Sequence, residues 1–269
     1  MNPLKLIALL ASLLTGSASG QQLSASDHNI AESSRSKYYS LSASGFKSLA
    51  CAVKFDFSTV PSVSQNGKDA TRAFLEMTGF TLALDDKGRP NVQHHFPKDS
   101  SASAQDSASP AIGLLTSLIG GLFQTWALKG LQGPIPPFDS QIEKISAVDT
   151  GYLVNLRVPG APVQVLLDKT FLVRAITSVG GKLIEHPLYV DSPEGFVFVG
   201  NEAVDNSGQG GQTIVKYDLG LSVINGLRVP TSVRLRVNTN IDVRYALVDC
   251  IATRAIVVRT TPPVGHPTP

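Results

Sequence analysis

Between Ser140 and Val258 the chain is a succession of short apolar–polar alternations cut at regular intervals by turn residues. The breaks are Asp149-Thr150-Gly151, Pro159-Gly160-Ala161-Pro162, Gly180-Gly181, Ser192-Pro193-Glu194-Gly195, Asn206–Gln212, Asn225-Gly226 and Asn238-Thr239-Asn240. Side chains alternate across a strand, and closely spaced local turns join antiparallel neighbours. Parallel strands would need long crossovers, which these breaks do not provide. The stretch therefore reads as an antiparallel meander. Val163–Leu167, Phe196–Val199 and Ala255–Val258 are apolar at consecutive positions. A sheet with one wet face alternates more strictly, so this sheet needs a cover on its second face.

Upstream, Leu49, Cys51, Val53, Phe55 and Phe57 alternate with Lys54 and Asp56 as a further strand. Phe80–Leu84 and Pro90–Phe96 flank the turn Asp85–Gly88 as a hairpin. Ile30–Leu41, capped by Ser33 or Ser34, and Asp69–Met77 read as helices. Lys98–Pro110, rich in Ser and Ala, reads as a mobile low-complexity loop. Ser109 as N-cap and Pro110 as first helical residue then open a helix over Ala111–Leu128 that contains no charge and stops at Gly130. At 3.6 residues per turn, Ile112, Leu115, Leu118, Ile119, Leu122, Phe123 and Trp126 share one face. Gly113, Thr116, Ser117, Gly120, Gln124 and Ala127 make the other. The expected fold is α+β: one domain over 27–258, a curved antiparallel β-sheet, half-barrel-like, covered by two or three helices. Residues 259–269 read as a disordered Pro-rich tail.

Lys5, the apolar run Leu6–Leu14 and Ala18-Ser19-Gly20 form the three parts of a secretory signal over residues 1–20, which implies a periplasmic or secreted protein. Cys51 and Cys250 are the only cysteines. In an oxidising compartment an even pair points to one disulfide, the alternative being two separate buried thiols. A net charge of +2, without a clustered Lys/Arg patch, excludes a nucleic-acid partner. The uncharged helix carries Gln124 and lacks anchors on one side, which disfavours a transmembrane span.

No catalytic motif is present. His94-His95 and Glu185-His186 are neighbours on strands, so each pair diverges to opposite faces, and Pro187 marks an edge. Gly-x-Ser-x-Gly, His-Glu-x-x-His and a phosphate-cradling loop are absent, and the carboxylates are scattered. The expectation is no enzyme, no cofactor and no metal.

Tyr38–Leu41 leading into the Gly45–Phe57 strand, and Gly226-Leu227-Arg228-Val229-Pro230 after Tyr217, resemble the strand entries of the LolA/LppX-like family of lipoprotein carriers. The resemblance spans Ile30 to Val258. It implies an unclosed half-barrel whose concave apolar face takes acyl chains under helices. The expected function is thus non-catalytic carriage of a lipid, or of the acyl chain of a lipoprotein, by a monomer. Ile112, Leu115, Leu118, Ile119, Leu122, Phe123 and Trp126 would line the cavity, with hinges in 98–110 and at Gly120-Gly121. The alternative is an envelope protein that binds another protein and has a fully packed core.

Overall fold

The computed structural model describes residues 23–59, 69–158, 162–178, 180–206, 211–238 and 241–255. The expected secretory signal, the expected tail and positions 207–210 of the Asn206–Gln212 loop lie outside the described residues.

Twelve strands form one sheet in the order β3-β2-β1-β12-β11-β10-β9-β8-β7-β6-β5-β4. They are β1 (Phe46–Asp56), β2 (Gly79–Leu84), β3 (Pro90–His95), β4 (Ile142–Val148), β5 (Gly151–Leu156), β6 (Val163–Asp168), β7 (Val173–Ser178), β8 (Leu183–Val190), β9 (Val197–Asp205), β10 (Thr213–Ile224), β11 (Leu227–Val237) and β12 (Ile241–Arg254). Every pairing is antiparallel. Nine strands run as a meander from β4 to β12, and β1, β2 and β3 continue it beyond β12. The edges β3 and β4 do not pair, so the curved sheet stays open. The helices are α1 (Ala25–Arg35), α2 (Asp69–Met77) and α3 (Ala102–Trp126).

Three expectations need correction. The expected loop over 98–110 is confined to 98–101: α3 begins at Ala102 and runs through Pro110. Ser101, not Ser109, is the N-cap and accepts from the Ala104 amide. Alanine favours this extension intrinsically. Ser107 and Ser109 return their hydroxyls to the carbonyls of Ser103 and Gln105, and Ala108 is buried. An internal proline costs about 3 kcal/mol, and the apolar packing of Ala104, Ala108 and Ile112 against the core works against that cost. The N-terminal helix is Ala25–Arg35 rather than 30–41, because Ser24 caps it by accepting from Asp27. Pro187 lies in the central strand β8, but the recorded β7–β8 pairs stop at Ile176–Glu185, so the proline lies beyond that ladder.

Cys51 and Cys250 form a disulfide between β1 and β12, with Cα atoms 4.2 Å apart. Register explains the pairing. Ala50 faces Ile251 and Ala52 faces Val248, so Cys51 meets two residues, Asp249 and Cys250, at a bulge. Asp249 takes the left-handed conformation that the bulge needs, at φ 53°. A disulfide fits an oxidising compartment.

The apolar interior is split in two. The larger cluster joins α2 and α3 to the inner faces of β1, β2 and β9–β12. The smaller joins Ala31 of α1 and Ile135 to β4–β7. Between them runs the segment that follows α3.

Candidate functional site

Helix α3 is the centre of the larger core. Its 25 residues span roughly 37 Å at 1.5 Å per residue. It is long and apolar enough to cross a membrane by length and composition, and half of its most apolar window is buried inside the protein. It packs on β3, β2 and α2, and the turn that follows it reaches β9. Seven strands separate β3 from β9 inclusive, so the helix lies across the sheet and the sheet curves around it.

Ile112, Leu115, Leu118, Ile119, Leu122, Phe123 and Trp126 all point into this core, and Leu118 is the most exposed at 7%. None of them lines the cavity beside Lys129 and Glu185, the cleft at Tyr38–Ser44 or the two hollows that run along Lys54 and Phe55. Their seat is filled by their own packing, with Phe123 and Trp126 edge-on at 5.8 Å. The opposite face, with Gly113, Leu114, Ser117 and Gln124, meets solvent.

Beyond Trp126 the coil widens into a π-helical turn, Ala127–Leu131. This added residue per turn re-aims the side chains that follow. Gly130 permits it: a Cβ there would lie 2.9 Å from the Trp126 indole nitrogen. The turn is anchored on two sides. Leu41 and Ser42 donate their amides to the carbonyls of Gly130 and Leu131, and the Ser40 hydroxyl also donates to Leu131. Gly88, at φ +73° in the β2–β3 turn, packs so closely on Ala127 that a Cβ would come within 2.5 Å.

The π turn drives Lys129 inward. Its Nζ donates to Glu185 Oε2 at 2.5 Å, and both residues are at least nine-tenths buried. Asn201 Nδ2 donates to the same oxygen at 2.9 Å and is 0% exposed. Asn201 stands opposite Tyr217 in register, so Glu185, Asn201 and Tyr217 make a polar strip across β8, β9 and β10. Asn201 Oδ1 and the hydroxyls of Tyr189, Tyr217 and Tyr245 are buried without a hydrogen-bond partner among the described residues. Beside Lys129 and Glu185 lies a cavity of about 90 Å³ at the seam of the two cores. Gln132, Pro134, Pro136, Gln141, Leu156 and Val163 are among its walls, and the exposed Gln132 marks its way to the surface.

Sequence reasoning did not find this cluster. Glu185 and His186 do diverge, Glu185 inward and His186 outward. Lys129 was placed past the end of an ordinary helix, so no pairing 56 residues away was visible. The signal was a lone lysine closing an uncharged stretch and a lone asparagine in an apolar strand. His94 and His95 are both exposed on β3.

Burial holds the phenols of Tyr38, Tyr189, Tyr217 and Tyr245 protonated, raising each well above the ordinary value. Glu185 adds to the effect at Tyr189 and Tyr217. In the unfolded chain these groups ionise near pH ~10. Their contribution to stability is therefore intact below that pH and is lost as pH rises above it. Ultraviolet titration should find these four of the six tyrosines silent until base unfolding, which steepens above about pH 10. Reversible ionisation of all six in folded protein would contradict this burial.

Two other groupings lie apart from this cluster. His28 Nδ1 lies 2.6 Å from Asp139, and ligand-type atoms of His28, Glu32 and Asp139 sit within 4.8 Å of one another. The Arg35 guanidinium already bonds both carboxylates and the Pro136 carbonyl, so the group clasps α1 to the 136–139 segment. An open cleft of about 640 Å³ lies between Tyr38–Ser44 and the ends of β10–β12, with Arg228 paired to Glu194 and Arg254 on its wall. Comparison of the chain with family models, curated proteins and solved structures finds no match in any of the three.

Proposed function

We propose that the protein is a non-catalytic carrier of a lipid or lipid-modified protein in an oxidising, extracytoplasmic compartment, with α3 as a displaceable plug. The observation that carries this reading is a helix, uncharged from Ala111 to Trp126, cradled by a curved, open sheet and firmly anchored only at one end. The 127–131 turn is tied by backbone hydrogen bonds to 40–42, whereas the α3 body makes only side-chain packing contacts with β2, β3 and α2. Pro110 and Gly120-Gly121 weaken the body of the helix.

Magnitudes decide which guest can enter. Undocking seven large apolar side chains costs about 10–20 kcal/mol, at about 1.5–3 kcal/mol each. One long acyl chain of about 15 methylenes returns about 12 kcal/mol at about 0.8 kcal/mol per methylene. A single chain barely balances the helix, whereas two chains exceed it. The carrier reading therefore favours diacyl or lipoprotein guests over free fatty acids.

The filled seat favours a second reading, an envelope protein that binds another protein around a permanent core. Trp126 separates the two, because it is the only tryptophan and is 2% exposed. Adding diacyl lipid should shift its emission, and lipid should be recovered from the purified protein by mass spectrometry. An unchanged spectrum and lipid-free extracts from folded protein would discard the carrier and leave the interaction protein.

A further inference from the structure

We infer that the Lys129–Glu185 cavity is a subsite for a neutral, oxygen-rich group, an alcohol or ester, and that it selects the head region of the guest. The inference rests on the carrier reading and adds the ligand chemistry. Two charged side chains, each at least nine-tenths buried, form part of the cavity wall. An ammonium has three donors, and Glu185 takes one of those on Lys129. No other acceptor for Lys129 is found among the described residues, so it can donate to a ligand oxygen. Gln141 Oε1, on the same wall, is buried without a partner and can accept from a hydroxyl.

Charge sets the class. Lys129 and Glu185 cancel, so the site as a whole is neutral. A phosphate or carboxylate placed against Lys129 would also lie beside the Glu185 carboxylate, where low polarity strengthens the repulsion. A hydroxyl or ester carbonyl meets no such penalty. Size agrees: about 90 Å³ is small beside the roughly 300–1,000 Å³ of pockets that enclose a whole drug-sized ligand, so it suits a compact head group rather than a whole lipid. Position agrees too. The cavity adjoins the anchored turn, which keeps Lys129 in place while the rest of α3 moves, so head and chains would occupy adjoining sites.

The test uses the full chain and donor vesicles of phosphatidylcholine doped with either diacylglycerol or phosphatidic acid of identical acyl chains. Uptake of diacylglycerol should exceed that of phosphatidic acid at least tenfold. The Lys129→Met/Glu185→Gln variant, checked by circular dichroism for its fold, should lose that preference while still taking up lipid. Equal uptake by the native protein, or a preference that survives in the double variant, would overturn the subsite and leave the carrier standing. Uptake of neither lipid would overturn both.

Discussion

Lys129→Met alone should lower folding stability by about 3–5 kcal/mol, because it leaves the Glu185 carboxylate buried without its counter-charge. Adding Glu185→Gln should restore most of that loss. The pair has been taken out of water at a cost close to its mutual attraction, so removing both charges is nearly neutral, whereas removing one is not. The glutamine can still accept from Asn201 and can donate to Asn201 Oδ1, which has no partner among the described residues. Denaturant melts of the native, single and double forms give the coupling directly. Equal losses in the single and double variants would show that the ion pair does not exist as described. An outward Lys129 would cost less than about 0.5 kcal/mol, the range of ordinary surface substitutions.

Cys51→Ala/Cys250→Ala should have the largest effect, about 5 kcal/mol. The bond closes a loop with a sequence separation of 199, and in the chain-entropy model a loop that long removes about that much from the unfolded state. At about 2–4 °C per kcal/mol for a chain of this size, the loss is about 10–20 °C in Tm. The bond also splices the N-terminal strands onto the meander. The β1–β12 ladder holds β1, and through β1 the β2–β3 hairpin against which α3 packs. Without the bond, β1–β3 and α3 should open first, seen as early loss of amide protection there and early exposure of Trp126. A loss below about 1 kcal/mol, far under the model value, would show that this seam is held by its backbone ladder alone.

Much of the sheet could be read directly. β4 at 142–148 and β11 at 227–237 match their alternation and turn signals, as does α2 at 69–77. Each depends on local rules, namely two-residue alternation, Gly or Asn turns and a 3.6-residue apolar face. The 98–110 segment was misread for the converse reason. Its serines and Pro110 signal a loop in isolation, but Ala104 and Ala108 meet the core, and Ser107 and Ser109 satisfy the helix's own carbonyls. The α1 boundaries slipped because Ser24, Ser33 and Ser34 are equal as caps by type, and only geometry showed which one bonds an amide.

The apolar face of α3 was also legible, since periodicity names Ile112 through Trp126 as one surface. Its partner was not. The π turn at Ala127–Leu131 leaves no periodic signature, yet it decides that Lys129 turns inward.

The sequence alone determined the strand pattern, the uncharged helical stretch from Ala111 and the supply of a single cysteine pair, because these follow from side-chain alternation and composition. The tertiary structure alone decided that β1 closes onto β12, that α3 fills the concave face, and that Lys129, Glu185 and Asn201 meet in the interior. The ion pair joins residues 56 positions apart and the disulfide residues 199 apart. Such contacts depend on the curvature and register of the whole sheet, which no local stretch of sequence specifies.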